Sequence, residues 1–193
     1  MSHFFKICYP PVLALATTFA LATSAHAAPY QAVQMDKSRV GFSFKQMGVS
    51  VDGRFAKFTP QISFDPAKPE QTKASIEIDL ASIDTGSDEA DQEVVGKSWF
   101  NTSAFPKALF VAKQVKQTAP HVFEVLGTLT IKGRARDIKF AMKHTPQGAQ
   151  GLLSGSFTLQ RADYALGEGM WSKFDVVAND IQVSFQLTAI AGK

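Results

Sequence analysis

The sequence predicts an all-β protein whose antiparallel strands close into a barrel or pack as a two-sheet sandwich. Apolar residues alternate with polar residues along most of the chain, as they do in half-buried strands. Each segment keeps one polar face, which argues against a parallel sheet that is buried on both sides. There is one short helical pattern and no βαβ unit. A chain with about eight such strands has to hide its sheet edges by closing or by stacking.

In the aromatic stretch at residues 40–64, apolar residues recur at every second position. The first strand of this stretch has Val40, Phe42 and Phe44 on one face. A turn at residues 47–48 leads to a second strand with the same pattern at residues 49–55. The apolar positions then change parity, so we expect a bulge or a turn near Thr59 and Pro60. This stretch therefore lines one side of a sheet with aromatic rings.

The other strands follow from the same alternation. A short strand at residues 30–35 precedes a turn at residues 36–38. Further strands are predicted at residues 73–80, 108–114, 122–132, 138–143, 151–160 and 181–187. Residues 161–180 are expected to be a loop.

One short helix is predicted at residues 88–95. Ser87 is a suitable N-cap, and the acidic residues that follow it match the positive end of the helix dipole. The aromatic residues Trp99, Phe100 and Phe105 come next. They either cover an open end of the sheet or form a separate cluster under a loop.

Residues 1–27 have the features of a secretory signal peptide that is cleaved after Ala27. Lys6 precedes an apolar run at residues 12–22, and Ala25 and Ala27 occupy the small-residue positions of a cleavage site. The alternative, a retained membrane anchor, is disfavoured because the run is too short to cross a bilayer comfortably. We therefore expect an exported protein with one domain at residues 28–193.

The composition of the expected domain excludes several functions. The single cysteine, Cys8, lies in the leader, so thiol catalysis and zinc–thiolate sites are excluded. Without Lys6, 19 basic residues are interspersed with 17 acidic ones, and no basic run suitable for nucleic acid is present. His121 and His144 each stand alone in the sequence, with no further ligand at metal-binding spacing. No G-x-S-x-G elbow of a hydrolase is present.

The inward faces of the strands are rich in phenylalanine, which can either fill the interior or line a pocket for one ligand. Gly53, Gly127 and Gly155 share the registers of these large residues and are expected to leave space. The pattern alone leaves a filled core and an apolar pocket open. The candidate ligand-binding residues are Phe42, Phe44, Phe55, Phe123, Phe140, Phe157 and Phe185.

Six motifs, taken in order, resemble the YceI family of lipocalin-like polyisoprenoid-binding proteins of the bacterial periplasm. The family pattern F-x-(V/I)-x-H-x-G-x-S-x-V-x-G-x-F is similar to the stretch that contains Phe42, Phe44, Gly48, Ser50, Gly53 and Phe55. The remaining matches are Phe64-Asp65-Pro66, Ser82-Ile83 with Thr85-Gly86 and Asp91, Phe105-Pro106 with Phe110, Gly127 with Leu129-Thr130-Ile131 and Gly133, and Arg161 with Asp163-Tyr164, Leu166 and Gly167.

The resemblance implies an extended antiparallel eight-stranded lipocalin-like barrel with one short helix. Its interior would hold a long isoprenoid chain, with no metal and no enzymatic cofactor. The chain departs from the family where a frequent histidine is Gln46 and where the helix reads residues 90–93 as Ala-Asp-Gln-Glu. These departures remove polar or basic groups near the expected ligand mouth and favour a neutral, quinone-like head over a pyrophosphate.

The expected function is therefore that of a periplasmic binding or carrier protein for an isoprenoid or similar long-chain lipid, quinone-like or polyprenyl. No nucleic acid and no stable membrane insertion are expected, and a homodimer is left open. One alternative is an enzyme acting on an apolar lipid substrate, with Arg161, Asp163 and Tyr164 as its polar groups. A second alternative, an outer-membrane barrel, is disfavoured because Glu77 and Asp79 lie on the outward face of their strand.

Overall fold

The computed structural model describes residues 28–192 and contains ten antiparallel strands and one α-helix. The predicted signal peptide lies outside these residues. The strands are β1 (Tyr30–Gln46), β2 (Val49–Phe55), β3 (Phe58–Ser63), β4 (Lys73–Asp79), β5 (Ile83–Asp84), β6 (Lys107–Ala119), β7 (Val122–Ile131), β8 (Arg134–Gln147), β9 (Gln150–Gln160) and β10 (Val177–Ala191). The helix α1 (Asp88–Val94) begins where Ser87 accepts a hydrogen bond from the backbone N–H of Ala90. No helix among the described residues is long and apolar enough to cross a membrane.

The strands form one curled sheet in the order β3-β4-β6-β7-β8-β9-β10-β1-β2-β5. Strand β3 stands at one end of this order, and β2 and β5 stand at the other end. The chain runs from β2 straight into β3 and from β4 into β5, so these four strands are two bent strands of one hairpin, and this hairpin joins the two ends of the sheet. Tyr30 at the start of β1 also exchanges backbone hydrogen bonds of 2.8 and 3.0 Å with Phe64, just after β3. The predicted lipocalin-like barrel is therefore confirmed, and the count of ten instead of eight arises because two of the eight strands are bent.

The bend between β2 and β3 lies at residues 56–57, and the expected break near Thr59 and Pro60 is wrong. Ser82 holds the bend by accepting a hydrogen bond of 2.9 Å from the backbone N–H of Lys57 and by donating one of 2.7 Å to the carbonyl of Asp79. A 3-10 turn at Leu80–Ser82 interrupts the facing strand at the same level. Thr59 and Pro60 both lie within β3 and pair with β4.

The predicted turn at residues 36–38 is also wrong, because β1 is one continuous strand of 17 residues. The break in apolar alternation there marks a β-bulge against β10. The hydroxyl of Ser38 donates to the carbonyl of Gln34 at 2.7 Å and accepts from the backbone N–H of Thr188 at 3.0 Å. The side chain thus satisfies the backbone groups that the extra residues leave unpaired.

Two groups of buried side chains lie at opposite ends of the barrel. The first, which we call the packed end, contains Tyr30, Phe64, Phe123 and Leu153, all at most 7 % exposed. The second surrounds what we call the mouth, and its buried residues include Leu80, Trp99, Tyr164 and Leu166. Helix α1 and the loop between β9 and β10 lie at the mouth, and the space between the two groups holds the candidate site.

Candidate ligand-binding cavity

An apolar cavity of about 570 Å³ occupies the barrel interior. Its lining on β10 extends from Val177 to Leu187, a separation that corresponds to about 33 Å along a strand. The alternating face of β4 that the sequence predicts also lines it, through Ala74, Ile76 and Ile78. The interior is therefore hollow over much of its length, and the choice between a filled core and a pocket is settled in favour of a cavity.

Six of the seven phenylalanines predicted from the sequence line this cavity, namely Phe42, Phe44, Phe55, Phe140, Phe157 and Phe185. The seventh, Phe123, is 1 % exposed in the packed end, where its ring meets that of Phe64 edge-on at 5.1 Å between centroids. Phe64 lines the cavity and Phe123 does not. Ligand binding by the other six residues stays a prediction.

Several further aromatic residues of the wall were not among the predicted ligand-binding residues, namely Phe64, Trp99, Phe100, Phe110 and Trp171. Phe110 lies on the apolar face of β6 between Ala108 and Ala112, so the alternation within that predicted strand could have identified it. Trp99 and Phe100 cover the mouth, which is one of the two roles expected for them. Trp171 had no such signal, since it lies in a 3-10 turn whose position depends on tertiary contacts.

The three glycines expected to leave space have a different role. A Cβ added at Gly53 would lie less than 3.0 Å from ring atoms of Phe42, and one at Gly127 would meet Phe110 in the same way. At Gly155 the ring in question is that of Phe185. Each glycine therefore leaves room for a neighbouring ring to lie close to the backbone of the barrel wall.

The wall rings contact one another around the barrel. Phe140 lies at centroid distances of 5.6 Å from Phe110, 5.3 Å from Phe157 and 5.5 Å from Phe185. On the opposite side Phe42 lies 5.3 Å from Phe55. Such pairs add to the stability that the rings gain from burial, and they hold the lining in a defined arrangement.

Polar side chains enter the lining at the mouth, where Gln46, Ser87, Glu89 and Glu93 are exposed to solvent. Thr85 is buried there, and its backbone N–H and its hydroxyl both donate to Asp91, at 2.8 and 2.7 Å. These two bonds tie α1 to the chain after β5. The aspartate of the sequence motif thus positions the helix over the mouth.

A single side-chain hydrogen bond joins α1 to the loop between β9 and β10. The indole N–H of Trp171 donates to Glu93 at 2.8 Å, and the Trp171 ring lies 5.7 Å from that of Trp99. All three residues line the cavity. The two indoles and the carboxylate therefore form one side of the mouth.

Arg161 is the basic residue among the described cavity-lining side chains, and it is 1 % exposed. Its three guanidinium nitrogens donate at 2.7–3.2 Å to the carbonyls of Leu166, Gly167, Trp171, Lys173, Val177 and Ala178. The guanidinium carbon also lies 5.3 Å from the Trp99 ring centroid and 4.9 Å from that of Phe174. The donors are thus directed at the loop backbone and away from the cavity.

Asp163 and Tyr164 do not join Arg161 in a catalytic arrangement. Asp163 is exposed, and the hydroxyl of Tyr164 is buried with no hydrogen-bond partner among residues 28–192. Burial, with a smaller contribution from the charge of Asp163, raises the pKa of Tyr164 to about 12. The motif that contains these residues therefore shapes the end of the barrel, since Arg161 fixes the loop and Tyr164 packs beneath it.

The two histidines that are isolated in the sequence are neighbours in the structure. The ring centroids of His121 and His144 are 6.0 Å apart at the packed end, and Nε2 of His144 shares a hydrogen bond of 3.0 Å with the hydroxyl of Tyr30. Burial, together with the charge that His121 can carry, lowers the pKa of His144. Among residues 28–192, no group of three metal-binding side chains comes together.

An antiparallel barrel with an elongated apolar interior, a packed end and a partly polar mouth defines a lipocalin-like ligand-binding fold. The family model described as a YceI-like domain matches residues 31–189. The chain therefore belongs to the YceI family, as its motifs suggested.

Individual relatives agree with this assignment. A UPF0312 protein of Pseudomonas savastanoi pv. phaseolicola is 30% identical over 186 residues, which cover 90% of this chain and 93% of the relative. The crystal structure of BcnA from Burkholderia cenocepacia is similar with a TM-score of 0.80 and 35% identity, over 82% of this chain and 99% of that chain. A polyisoprenoid-binding domain from Saccharophagus degradans, implicated in plant cell wall breakdown, has the same fold, with a TM-score of 0.68 and 20% identity over 86% of this chain and 100% of that domain.

Proposed function

We propose that this protein is a periplasmic carrier that holds a long isoprenoid lipid with a neutral, quinone-like head in its barrel. The observation that carries the proposal is the apolar cavity of about 570 Å³ between the packed end and the mouth. This volume lies within the range of roughly 300–1,000 Å³ typical of ligand pockets. A lining that spans about 33 Å along a strand suits an extended chain better than a compact molecule.

Burial of the chain supplies the affinity. Each CH₂ group that leaves water contributes about 0.8 kcal/mol, so a tail of tens of carbons needs no polar contact to bind tightly. The conformational entropy that the lipid tail loses on binding offsets part of this gain. Non-covalent binding free energies also reach an upper limit of roughly 20 kcal/mol. A lining of rings and aliphatic groups is therefore sufficient for the tail.

The charges at the mouth favour a neutral head. Glu89 and Glu93 belong to the lining, whereas the guanidinium of Arg161 is occupied by backbone carbonyls. Within the described cavity lining, a pyrophosphate would face two carboxylates and no basic group with free donors. The side-chain amide of Gln46 offers hydrogen bonds to a carbonyl or hydroxyl group instead.

The family and the predicted leader support the remaining parts of the proposal. A structural relative with the same fold is described as a polyisoprenoid-binding domain. A signal peptide at residues 1–27 would deliver the protein to the periplasm, where a long isoprenoid needs a protein to shield it from water.

The direct test is native mass spectrometry of the mature protein purified from cells, followed by extraction of the bound lipid. We expect one isoprenoid per chain, and reloading of the emptied protein with a long-chain quinone in preference to a polyprenyl pyrophosphate. Protein that is empty as purified and takes up neither lipid on reconstitution would falsify the proposal. Preferential uptake of the pyrophosphate would contradict the head-group assignment alone.

A matched pair of variants separates the cavity from the outer surface. Ala112 lines the cavity, and Ala141 lies exposed on β8. We expect Ala112→Phe to lower lipid occupancy at least tenfold, because the new ring fills the lumen, and Ala141→Phe to leave occupancy unchanged. Circular dichroism checks that both variants fold. Ala74→Leu tests the same lumen if the larger substitution prevents folding.

A further inference from the structure

Exposed apolar side chains are concentrated at the mouth of the barrel. Eight large apolar side chains of the described residues are exposed, and five of them lie in or directly beside two adjacent loops. These five residues, which we call the apolar rim, are Met47, Val49, Met170, Phe174 and Val176. Met47 and Met170 are 77 % and 86 % exposed, so the fold gains little from burying either side chain.

The two loops of the apolar rim form one surface. The backbone N–H of Met47 donates to the carbonyl of Val176 at 2.7 Å, and Gln46 pairs with both Val49 and Val177. This pairing brings the β1–β2 turn against the chain that enters β10.

The apolar rim continues directly into the cavity. Gln46, which precedes Met47, and Trp171, which follows Met170, both line the cavity. Phe174 packs over Arg161, which also lines it. A molecule that leaves the cavity at this side of the mouth therefore passes the apolar rim.

The charges beside the rim are of both signs. Lys45 is exposed near the end of β1, and Lys173 and Asp175 are exposed on the loop before β10. The carboxylate of Glu168 is paired with Lys132 at 2.8 Å. Helix α1 adds the carboxylates of Glu89 and Glu93 on the other side of the mouth. This pattern complements a surface that itself presents phosphates and ammonium groups, with the lysine stems lying along apolar surface.

We infer that the apolar rim docks the mouth of the barrel on a bilayer of zwitterionic phospholipid, so that the guest passes between membrane and cavity without crossing water. The inference rests on the proposed function, because a bilayer is the phase that holds a long isoprenoid. Docking is peripheral, with side-chain tips inserted among the head groups. Because apolar insertion drives it, docking depends weakly on ionic strength and on anionic lipid.

Vesicle sedimentation tests this docking. The mature protein is mixed with large vesicles of phosphatidylcholine and phosphatidylethanolamine. We expect the double variant Met47→Gln/Met170→Gln to lower the partition coefficient by about tenfold or more, since each methionine contributes its burial free energy. Met35→Gln serves as the matched control, because Met35 is also exposed, at 43 %, but lies on β1 away from the mouth. It should bind vesicles as the parent protein does.

A second measurement keeps docking apart from ligand binding. The quenching of Trp99 and Trp171 fluorescence reports the affinity for a short, water-soluble quinone with two isoprene units. The double variant should keep this affinity within twofold, while its rate of quinone extraction from vesicles falls about tenfold. If the parent protein does not bind the short quinone or any longer one, the proposed function fails, whatever the vesicle result.

The docking inference is overturned if the parent protein does not sediment with the vesicles, or if the double variant sediments equally well. It is also overturned if sedimentation requires anionic phospholipid and disappears at high salt. Analytical ultracentrifugation adds a further outcome: a concentration-dependent dimer that the double variant abolishes, without an effect on vesicles, would make the apolar rim a contact between two copies of the chain.

Discussion

At the packed end of the barrel, Tyr30, Phe64 and Phe123 fill the lumen with rings, whereas at the mouth Arg161 and Lys132 hold loops through hydrogen bonds to carbonyl groups. Lys132, for example, donates to the carbonyl of Ala165 at 2.8 Å. Apolar packing is non-directional and leaves no space, so it suits the end that has to stay closed. Directed polar bonds define a loop conformation while leaving the apolar space beneath it empty. The cavity therefore depends on apolar packing at one end and on directed hydrogen bonds at the other.

The largest effect on stability is expected for Arg161→Met, which removes the guanidinium group that holds the loop at the mouth. Six carbonyl groups lose their donor, and those that are buried cannot turn to water. We expect a loss of about 3–5 kcal/mol in the free energy of unfolding, which for a chain of this size lowers Tm by roughly 6–20 °C. Urea and thermal unfolding give both values. Arg136→Met, at an exposed position of β8, is the control, and an equal loss in the control would contradict a special role for Arg161.

The next effect concerns the wall between the two ends. Gly127→Ala places a methyl group where the Phe110 ring lies, so the ring has to move into the cavity. We expect a loss of about 1–3 kcal/mol and a smaller lipid capacity, measured by urea unfolding and by reconstitution with isoprenoids of graded length. At Gly41 the nearest atoms to an added Cβ are 3.3 Å away, so Gly41→Ala should be milder. Full capacity in Gly127→Ala would show that the ring position does not set the space.

A pH dependence should distinguish the packed end from the mouth. The pKa of His144 is lowered in the folded protein from an ordinary value of 6.5, so between these two values the unfolded chain binds a proton that the folded chain does not. The free energy of unfolding is therefore unaffected by this group above pH 6.5 and falls as the pH drops below it. The slope is at most about 1.4 kcal/mol per pH unit, and it ends at the lowered pKa.

Unfolding measured between pH 7.5 and pH 5 in the parent protein and in His144→Gln tests this dependence. The variant should lose that part of the slope. His121→Gln should keep a reduced slope, because the charge of His121 is the smaller cause of the shift and burial the larger. Identical profiles for the parent protein and His144→Gln would rule out a contribution from this residue.

The smallest effect on stability is expected at the contact between Trp171 and Glu93. Trp171→Phe keeps a ring in the lining but removes the hydrogen bond of 2.8 Å, at an expected loss below about 1 kcal/mol because Glu93 can turn to water. Release of bound quinone should nevertheless become several-fold faster, since α1 loses its side-chain tie to the loop. Stopped-flow transfer to acceptor vesicles measures the rate, and Gln92→Ala, at an exposed position of α1 outside the lining, is the control. An unchanged rate in Trp171→Phe would mean that this contact does not restrain the mouth.

The same contrast explains which features the sequence predicted. Period-two alternation identified the face of β4 and most of the phenylalanine wall, because side chains on a strand alternate whatever lies around them. Ser87 and the acidic residues after it likewise located α1. These features depend on local geometry or on the parity of residues within one strand.

Features that depend on distant residues were not predicted. The bulge at residues 35–38 has the same composition as a turn, and the hydroxyl of Ser38 distinguishes them only through its bond to Thr188. Gly155 leaves room for a ring on the neighbouring strand, which the sequence cannot show without the register of β9 and β10. His121 and His144 meet because β8 lies beside the turn that precedes β7. For the same reason, Trp171 could not be assigned to the mouth.

The glycines in the barrel wall have one more consequence. Because the rings of Phe42, Phe110 and Phe185 lie against glycine backbone, a few missing methyl groups help to set the width of the bore for a given number of strands. Substituting these glycines one at a time would change the width of the cavity in steps, while the hydrogen bonds between the strands stay the same. Barrels with the same eight strands could in this way be tuned to guests of different girth, from a slender saturated chain to a branched, methyl-bearing one.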